Sequence, residues 1–126
     1  MRPMKFLLID DNPIDLMLNE KIVNTAYPSA EILKKKSALE ALDYLKTHLH
    51  SPPTYILLDI RMPLMDGFGF IEKYQEFAET LKDNTIVLMV SSSIDPVDIK
   101  RAETNPLIAG FITKPLSIDK LKNLKY

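Results

Sequence analysis

The chain has no cysteine, which excludes disulfides and thiolate metal sites and is compatible with a reducing compartment. It has no apolar run near the roughly 18 residues that a membrane-spanning helix requires. The first apolar stretch, Phe6 to Ile9, meets Asp10 at once, so it reads as a buried strand and not as a secretory signal. A cytoplasmic location is the expectation. Neither sign of charge dominates: 16 Lys and Arg stand against 17 Asp and Glu, and a net charge of -1 offers no electrostatic reason to expect nucleic acid or an anionic membrane as the main partner. The basic run Lys34-Lys35-Lys36 is short and reads as the solvated end of a strand. Glycine-rich phosphate loops and acyl-transfer triads are also missing.

What is present is alternation. Over 126 residues, 46% of them hydrophobic, short apolar runs alternate with amphipathic stretches, the pattern of a parallel sheet wrapped by helices. Phe6–Ile9 is continuous and apolar, as in a strand buried on both faces. Asn12 is a helix cap, Pro13 suits the first helical position and Asp15 the first turn, with Ile14, Met17, Leu18 and Ile22 on one helical face; Pro28 closes that element. Ile32 and Leu33 predict a weaker second strand. Ser37 with Glu40 reads as a capping box for a helix whose inward stripe is Ala38, Ala41, Leu42, Leu45 and Leu49. Tyr55 to Leu58 is the third strand. Asp66-Gly67 opens a third helix to about Leu81, Ile86 to Val90 is the fourth strand, and Asp95-Pro96 starts a fourth helix that Asn105-Pro106 ends. Phe111 to Thr113 is a fifth strand, and Ser117 begins a last helix. With no linker or repeat between the five βα units, the expectation is one domain over residues 1–126. Right-handed crossovers favour a doubly wound five-stranded parallel sheet, for which the order 2-1-3-4-5 is one common solution.

The polar residues sit where such sheets do chemistry. Asp10 and Asp11 end strand one, Asp59 strand three, Ser91 and Ser92 strand four, and Lys114 strand five. In open α/β sheets ligands bind beyond the carboxyl ends of the strands, where the strand order reverses. With order 2-1-3-4-5 that point lies between strands one and three and gathers three carboxylates. Such a group repels itself unless a cation neutralises it, and a hard divalent ion with oxygen ligands, Mg²⁺ or Mn²⁺, answers the need. A carboxylate nucleophile, a metal, an ammonium and a hydroxyl together suit the receipt of a phosphoryl group.

The stretches Leu8-Ile9-Asp10-Asp11-Asn12, Leu57-Leu58-Asp59-Ile60-Arg61-Met62-Pro63-Leu64-Met65-Asp66-Gly67, Met89-Val90-Ser91-Ser92 and Gly110-Phe111-Ile112-Thr113-Lys114-Pro115 resemble the receiver domain of response regulators, essentially along the whole chain. The resemblance implies the flavodoxin-like (CheY-like) receiver fold. It implies Asp59 as phosphoacceptor, Mg²⁺ held by Asp11, Asp59 and the backbone carbonyl of Arg61, and Asp10 acting largely through metal-bound water. It implies Lys114 and Ser91 as contacts of the phosphoryl oxygens, Phe111 as an aromatic switch, and a cis bond before Pro115. The phosphodonor would be a histidine kinase or a histidine phosphotransfer protein. The switched surface would be that of the fourth helix, fifth strand and fifth helix, offered to a downstream protein target; homodimerisation through this region is left open.

Two positions depart from the commonest pattern of that family: Ser91 stands for the commoner Thr, and Phe111 lacks the phenol of the frequent Tyr. Arg61 and Ser93, two residues past the acceptor and the switch hydroxyl, are expected to influence attack by water on the phosphoryl group. No DNA-binding or enzymatic output domain is expected in this sequence, so the chain would act by contact. Two other readings remain at this point. A haloacid-dehalogenase-type phosphohydrolase also uses a strand-end Asp, Mg²⁺ and a Lys, but carries its nucleophile on the first strand in a D-x-D arrangement. A phosphorylation-independent interaction module of the same fold would usually lack the acceptor or an acidic partner, and all are kept here.

Overall fold

A computed structural model describes residues 4–81 and 83–124 of the chain. Five strands, β1 (Lys5–Ile9), β2 (Glu31–Lys35), β3 (Tyr55–Leu58), β4 (Ile86–Ser91) and β5 (Gly110–Thr113), form one sheet in the order β2-β1-β3-β4-β5. All neighbouring pairs are parallel, as short apolar strands joined by helical crossovers require. The register aligns the carboxyl ends of the strands. Ile9 lies opposite Leu58, Leu58 opposite Met89 and Ser91 opposite Thr113, so the residues after β1, β3 and β5 emerge at one edge beside the end of β4.

Helices cover both faces. Helix α1 (Pro13–Ala26) and the short α5 (Ile118–Lys122) lie on one side, where Leu16, Val23 and Leu121 close over Phe6, Leu8, Leu57, Leu88 and Val90. On the other side α2 (Ala38–Lys46), α3 (Gly67–Tyr74) and α4 (Pro96–Thr104) cover Leu7, Ile9, Ile56, Leu58, Val87 and Met89. The alternation of each strand's residues between the two cores is the period of two that a pleated strand imposes. Among the described residues no helix is long and apolar enough to cross a membrane.

The helix starts behave as their caps predict. Asn12 accepts from the backbone N–H groups of Ile14 and Asp15, Ser37 from Glu40, Asp66 from Gly69, Asp95 from Val97, and Ser117 from Lys120. Three local details differ from expectation. The face of α1 that carries Ile14, Met17 and Leu18 is solvent-exposed; Leu16, Asn19, Val23 and Ala26 are the buried ones. Burial of Leu16, Val23 and Ala26 against the sheet sets the rotation of this helix, and the same rotation lets Asp15 pair with Lys114. Helix α2 stops at Lys46, so Leu49 packs half-buried beyond its end. The third helical run tightens to 3-10 pitch at Gln75–Phe77 before a last turn at Ala78–Leu81, with Tyr74, Ala78 and Leu81 keeping the buried stripe.

Candidate functional site

Backbone hydrogen bonds hold Asp10, Asp59 and Lys114 in place. The N–H of Asp10 donates to the Lys35 carbonyl, that of Asp59 to the Ile9 carbonyl, and that of Lys114 to the Ser91 carbonyl, extending the sheet ladder by one residue at each strand end. The loop after Asp59 is closed by Gly67, whose N–H donates to Ile60 at 2.8 Å. A Cβ on Gly67 would lie 2.5 Å from the Asp59 carbonyl oxygen, so the first turn of α3 can approach the acceptor strand only as glycine. Within that loop Leu64 is left-handed, φ 69°, and fully exposed.

Asp10, Asp11 and Asp59 each bring a carboxylate oxygen to within 4.8 Å of the others. Asp10 and Asp59 are buried and Asp11 is exposed. One Asp10 oxygen accepts from the Asn12 N–H at 3.0 Å and the other from Lys114 Nζ at 2.8 Å. Lys114 Nζ also donates to Asp15 Oδ2 at 2.8 Å and stands 3.7 Å from Asp59 Oδ1. The Lys114-Pro115 peptide bond is cis.

The electrostatics reflect this crowding. Burial, and then the neighbouring Asp10 charge, push the Asp59 carboxyl up to about 6. Lys114, the Ile60 N–H at 2.9 Å and the Ser91 hydroxyl act in the opposite direction. Burial also works against the Lys114 charge, but hydrogen bonds to Asp10 and Asp15 and the charges of Asp59 and Asp10 outweigh it, so its pKa lies above the ordinary lysine value. An all-oxygen donor set on two buried strand ends, with one member reluctant to ionise alone, fits a hard divalent cation and not a soft one.

Ser91 is fully buried at the end of β4. Its hydroxyl favours the ionised form of Asp59 and accepts the Ser93 N–H at 3.2 Å. Arg61 turns its guanidinium away from the carboxylates and pairs with Asp98, a buried carboxylate on α4 that also accepts from the Ser93 hydroxyl at 2.8 Å. Phe111 is half-buried against the core under α4. It lines a cleft of about 420 Å³ with Ile99, Ala102, Ile108 and Gly110.

Asp10, Asp11, Asp59, Ser91 and Lys114 therefore converge, whereas Phe111 lies on β5 in the cleft beside α4 and the Arg61 side chain pairs with Asp98. Two further residues join the site. The sequence marks Asp15 only as a favourable first-turn acid, although its place in the first turn of the helix that follows the Asp10-Asp11 strand end is the signal that could have drawn it in. Asp98, the first-turn acid of α4, carries no signal beyond its position, because its partner Arg61 lies 37 residues away.

The sequence matches the family model described as response regulator receiver domain over residues 6–125. The probable methanogenesis regulatory protein FilR2 of Methanothrix harundinacea is 31% identical over 95% of this chain and 77% of its own length. Other curated relatives are longer, and the chain spans 55% of one and 49% of another. Among solved structures, a two-component response regulator from Cytophaga hutchinsonii superposes with a TM-score of 0.88 at 31% identity, covering 98% of this chain and 95% of that one. A response regulator receiver protein from Dyadobacter fermentans gives 0.86 at 34% identity, covering 96% and 94%. With the 2-1-3-4-5 sheet and an acidic crevice at its carboxyl edge, the chain belongs to the response regulator receiver domain family, the signalling switches of two-component systems.

Proposed function

We propose that Asp59 accepts a phosphoryl group from a phosphohistidine of a histidine kinase or histidine phosphotransfer protein, in a Mg²⁺- or Mn²⁺-dependent reaction, and that residues 1–126 act in the cytoplasm as one receiver unit. The observation that carries this reading is the placement of a buried carboxylate at the end of β3, with Asp10 and Asp11 beside it and an ammonium 3.7 Å from its oxygen. An Asp59 oxygen attacks phosphorus, the O–P bond forms, the N–P bond breaks, and the imidazole leaves with its electron pair. Lys114 stabilises the charge on the transferring oxygens. Asp11, Asp59 and the carbonyl of Arg61 would hold the cation, with Asp10 behind them; bound there, it neutralises the carboxylates and the phosphoryl oxygens. The same chemistry with water as acceptor gives slow self-dephosphorylation, and small phosphodonors give self-phosphorylation.

Phosphorylation replaces the single charge of the carboxylate by a phosphoryl group carrying about -1.5 to -2. The Ser91 hydroxyl follows the new oxygens and gives up the Ser93 N–H. The β4–α4 loop then rearranges and the half-buried Phe111 turns further inward. This shifts the surface of α4, β5 and α5 toward a form that binds a downstream protein. Exposed apolar residues on the segments after the site's strands, Ile14, Leu64, Ile94 and Val97, supply contact area for a phosphohistidine-bearing donor.

Intact-mass spectrometry after incubation with Mg²⁺ and acetyl phosphate tests the reading. One added phosphoryl group, absent in Asp59→Asn and in the presence of chelator, is expected. No adduct, together with no binding of beryllofluoride, would overturn it in favour of a phosphorylation-independent interaction module.

A further inference from the structure

We propose that Asp15 is a positioning residue for Lys114: it holds the ammonium at a fixed stand-off from the acceptor carboxylate, with one N–H free for an incoming phosphoryl oxygen. The inference rests on the phosphoacceptor reading above and adds a residue to it.

A lysine ammonium has three donors. Two are engaged at 2.8 Å, with Asp10 Oδ2 and Asp15 Oδ2, while Asp59 Oδ1 at 3.7 Å is beyond hydrogen-bond reach. Of these three carboxylates, Asp10 and Asp59 belong to the cluster whose oxygens converge as a cation site; Asp15 does not. It is therefore the one anchor whose charge a cation in that cluster leaves for Lys114. Its backbone is held in the first turn of α1, where its N–H donates to the Asn12 cap at the positive end of the helix dipole. Two charge-assisted bonds at right length fix the ammonium. With only the Asp10 bond left, a side chain on a flexible four-carbon stem can close onto Asp59. Lys114 would then occupy the space needed by the phosphoryl group and compete for the charge that holds the cation.

The test is a double-mutant cycle in the full chain, with acetyl phosphate and Mg²⁺ and the adduct counted by intact mass. Asp15→Ala is expected to slow phosphorylation about tenfold, which corresponds to about 1.4 kcal/mol, and Asp15→Glu to recover part of the loss. In a Lys114→Ala background, where the adduct is counted over longer incubation, Asp15→Ala should cost nothing further, because the carboxylate acts through the ammonium alone. An equal loss in both backgrounds, no loss in either, or acceleration by Asp15→Ala would overturn the proposal. A second readout needs no phosphoryl chemistry. The Lys114 ¹⁵Nζ signal, protected from exchange when the ammonium is held, should be present in wild type and Asp15→Glu and lost in Asp15→Ala. If wild type takes no phosphoryl group but this signal depends on Asp15, the placement stands and the phosphoacceptor reading falls. A signal indifferent to Asp15 overturns the placement itself.

Discussion

Removing the negative charge of Asp59 should make the metal-free protein more stable at neutral pH. The acceptor carboxyl is raised from 3.8 to about 6, first by burial and then by Asp10. Its ionised form is thus disfavoured in the folded chain relative to the unfolded one, and Asp59's contribution to stability falls as pH rises from about 3.8 through about 6. A difference of this size in proton affinity corresponds to roughly 3 kcal/mol at full strength. Water at the mouth of the crevice screens the repulsion, so about 1 to 2 kcal/mol is the expected gain for Asp59→Asn at pH 7. The amide keeps an oxygen for the Ile60 N–H, and Lys114 keeps Asp10 and Asp15, so little is lost in exchange. In urea denaturation with chelator present, the midpoint should rise by roughly 1 M for a slope near 1.5 kcal/mol/M. At pH 4.5, where folded wild type already carries the proton, the gain should shrink to about a third of its neutral value. Saturating Mg²⁺ should reduce or invert the difference, because the cation stabilises wild type more than a variant lacking one ligand. A midpoint unchanged or lowered at pH 7, or a gain of equal size at both pH values, would refute the reasoning.

Three further outcomes are expected. Gly67→Ala should destabilise by about 2 to 3 kcal/mol in thermal melting, since the new methyl meets backbone atoms of Asp59 and Ile60 at 2.5 and 3.0 Å and not a side chain that can yield; an unchanged melting point would show that α3 can shift away. Leu64→Asn should raise stability by about 0.5 to 1 kcal/mol in chemical denaturation, because an exposed leucine at φ 69° carries a steric cost that asparagine largely avoids and makes no packing contact to lose. Arg61→Ala should shorten the lifetime of the phosphoryl group several-fold in a decay assay followed by intact mass, since it breaks the Arg61–Asp98 pair that ties the acceptor loop to α4; an unchanged decay rate would remove that role.

Where the sequence was legible, local chemistry was the reason. Asn12-Pro13, Ser37, Asp66-Gly67, Asp95-Pro96 and Ser117 mark helix starts through side-chain acceptors and proline geometry that act within three residues. Apolar runs such as Tyr55–Leu58 and Ile86–Val90 are strands because a sheet covered on both faces buries nearly every residue, here all but the first of each run. The α1 stripe of Ile14, Met17 and Leu18 shows where local reasoning stops. Periodicity marks a face but not what covers it, and here the covered face is the one that packs Leu16 and Val23 against the sheet, which also brings Asp15 to Lys114.

The sequence by itself determined the βα alternation, the helix starts and the set of polar residues at the strand ends, since each depends on neighbours close along the chain. Only the tertiary structure decided that Asp10 and Asp15 share Lys114, how far the ammonium stands from Asp59, and that Asp98 pairs with Arg61. The Asp10, Asp15 and Asp98 contacts span 104, 99 and 37 residues of chain. They depend on register and on helix rotation, which the packing of the whole sheet settles at once.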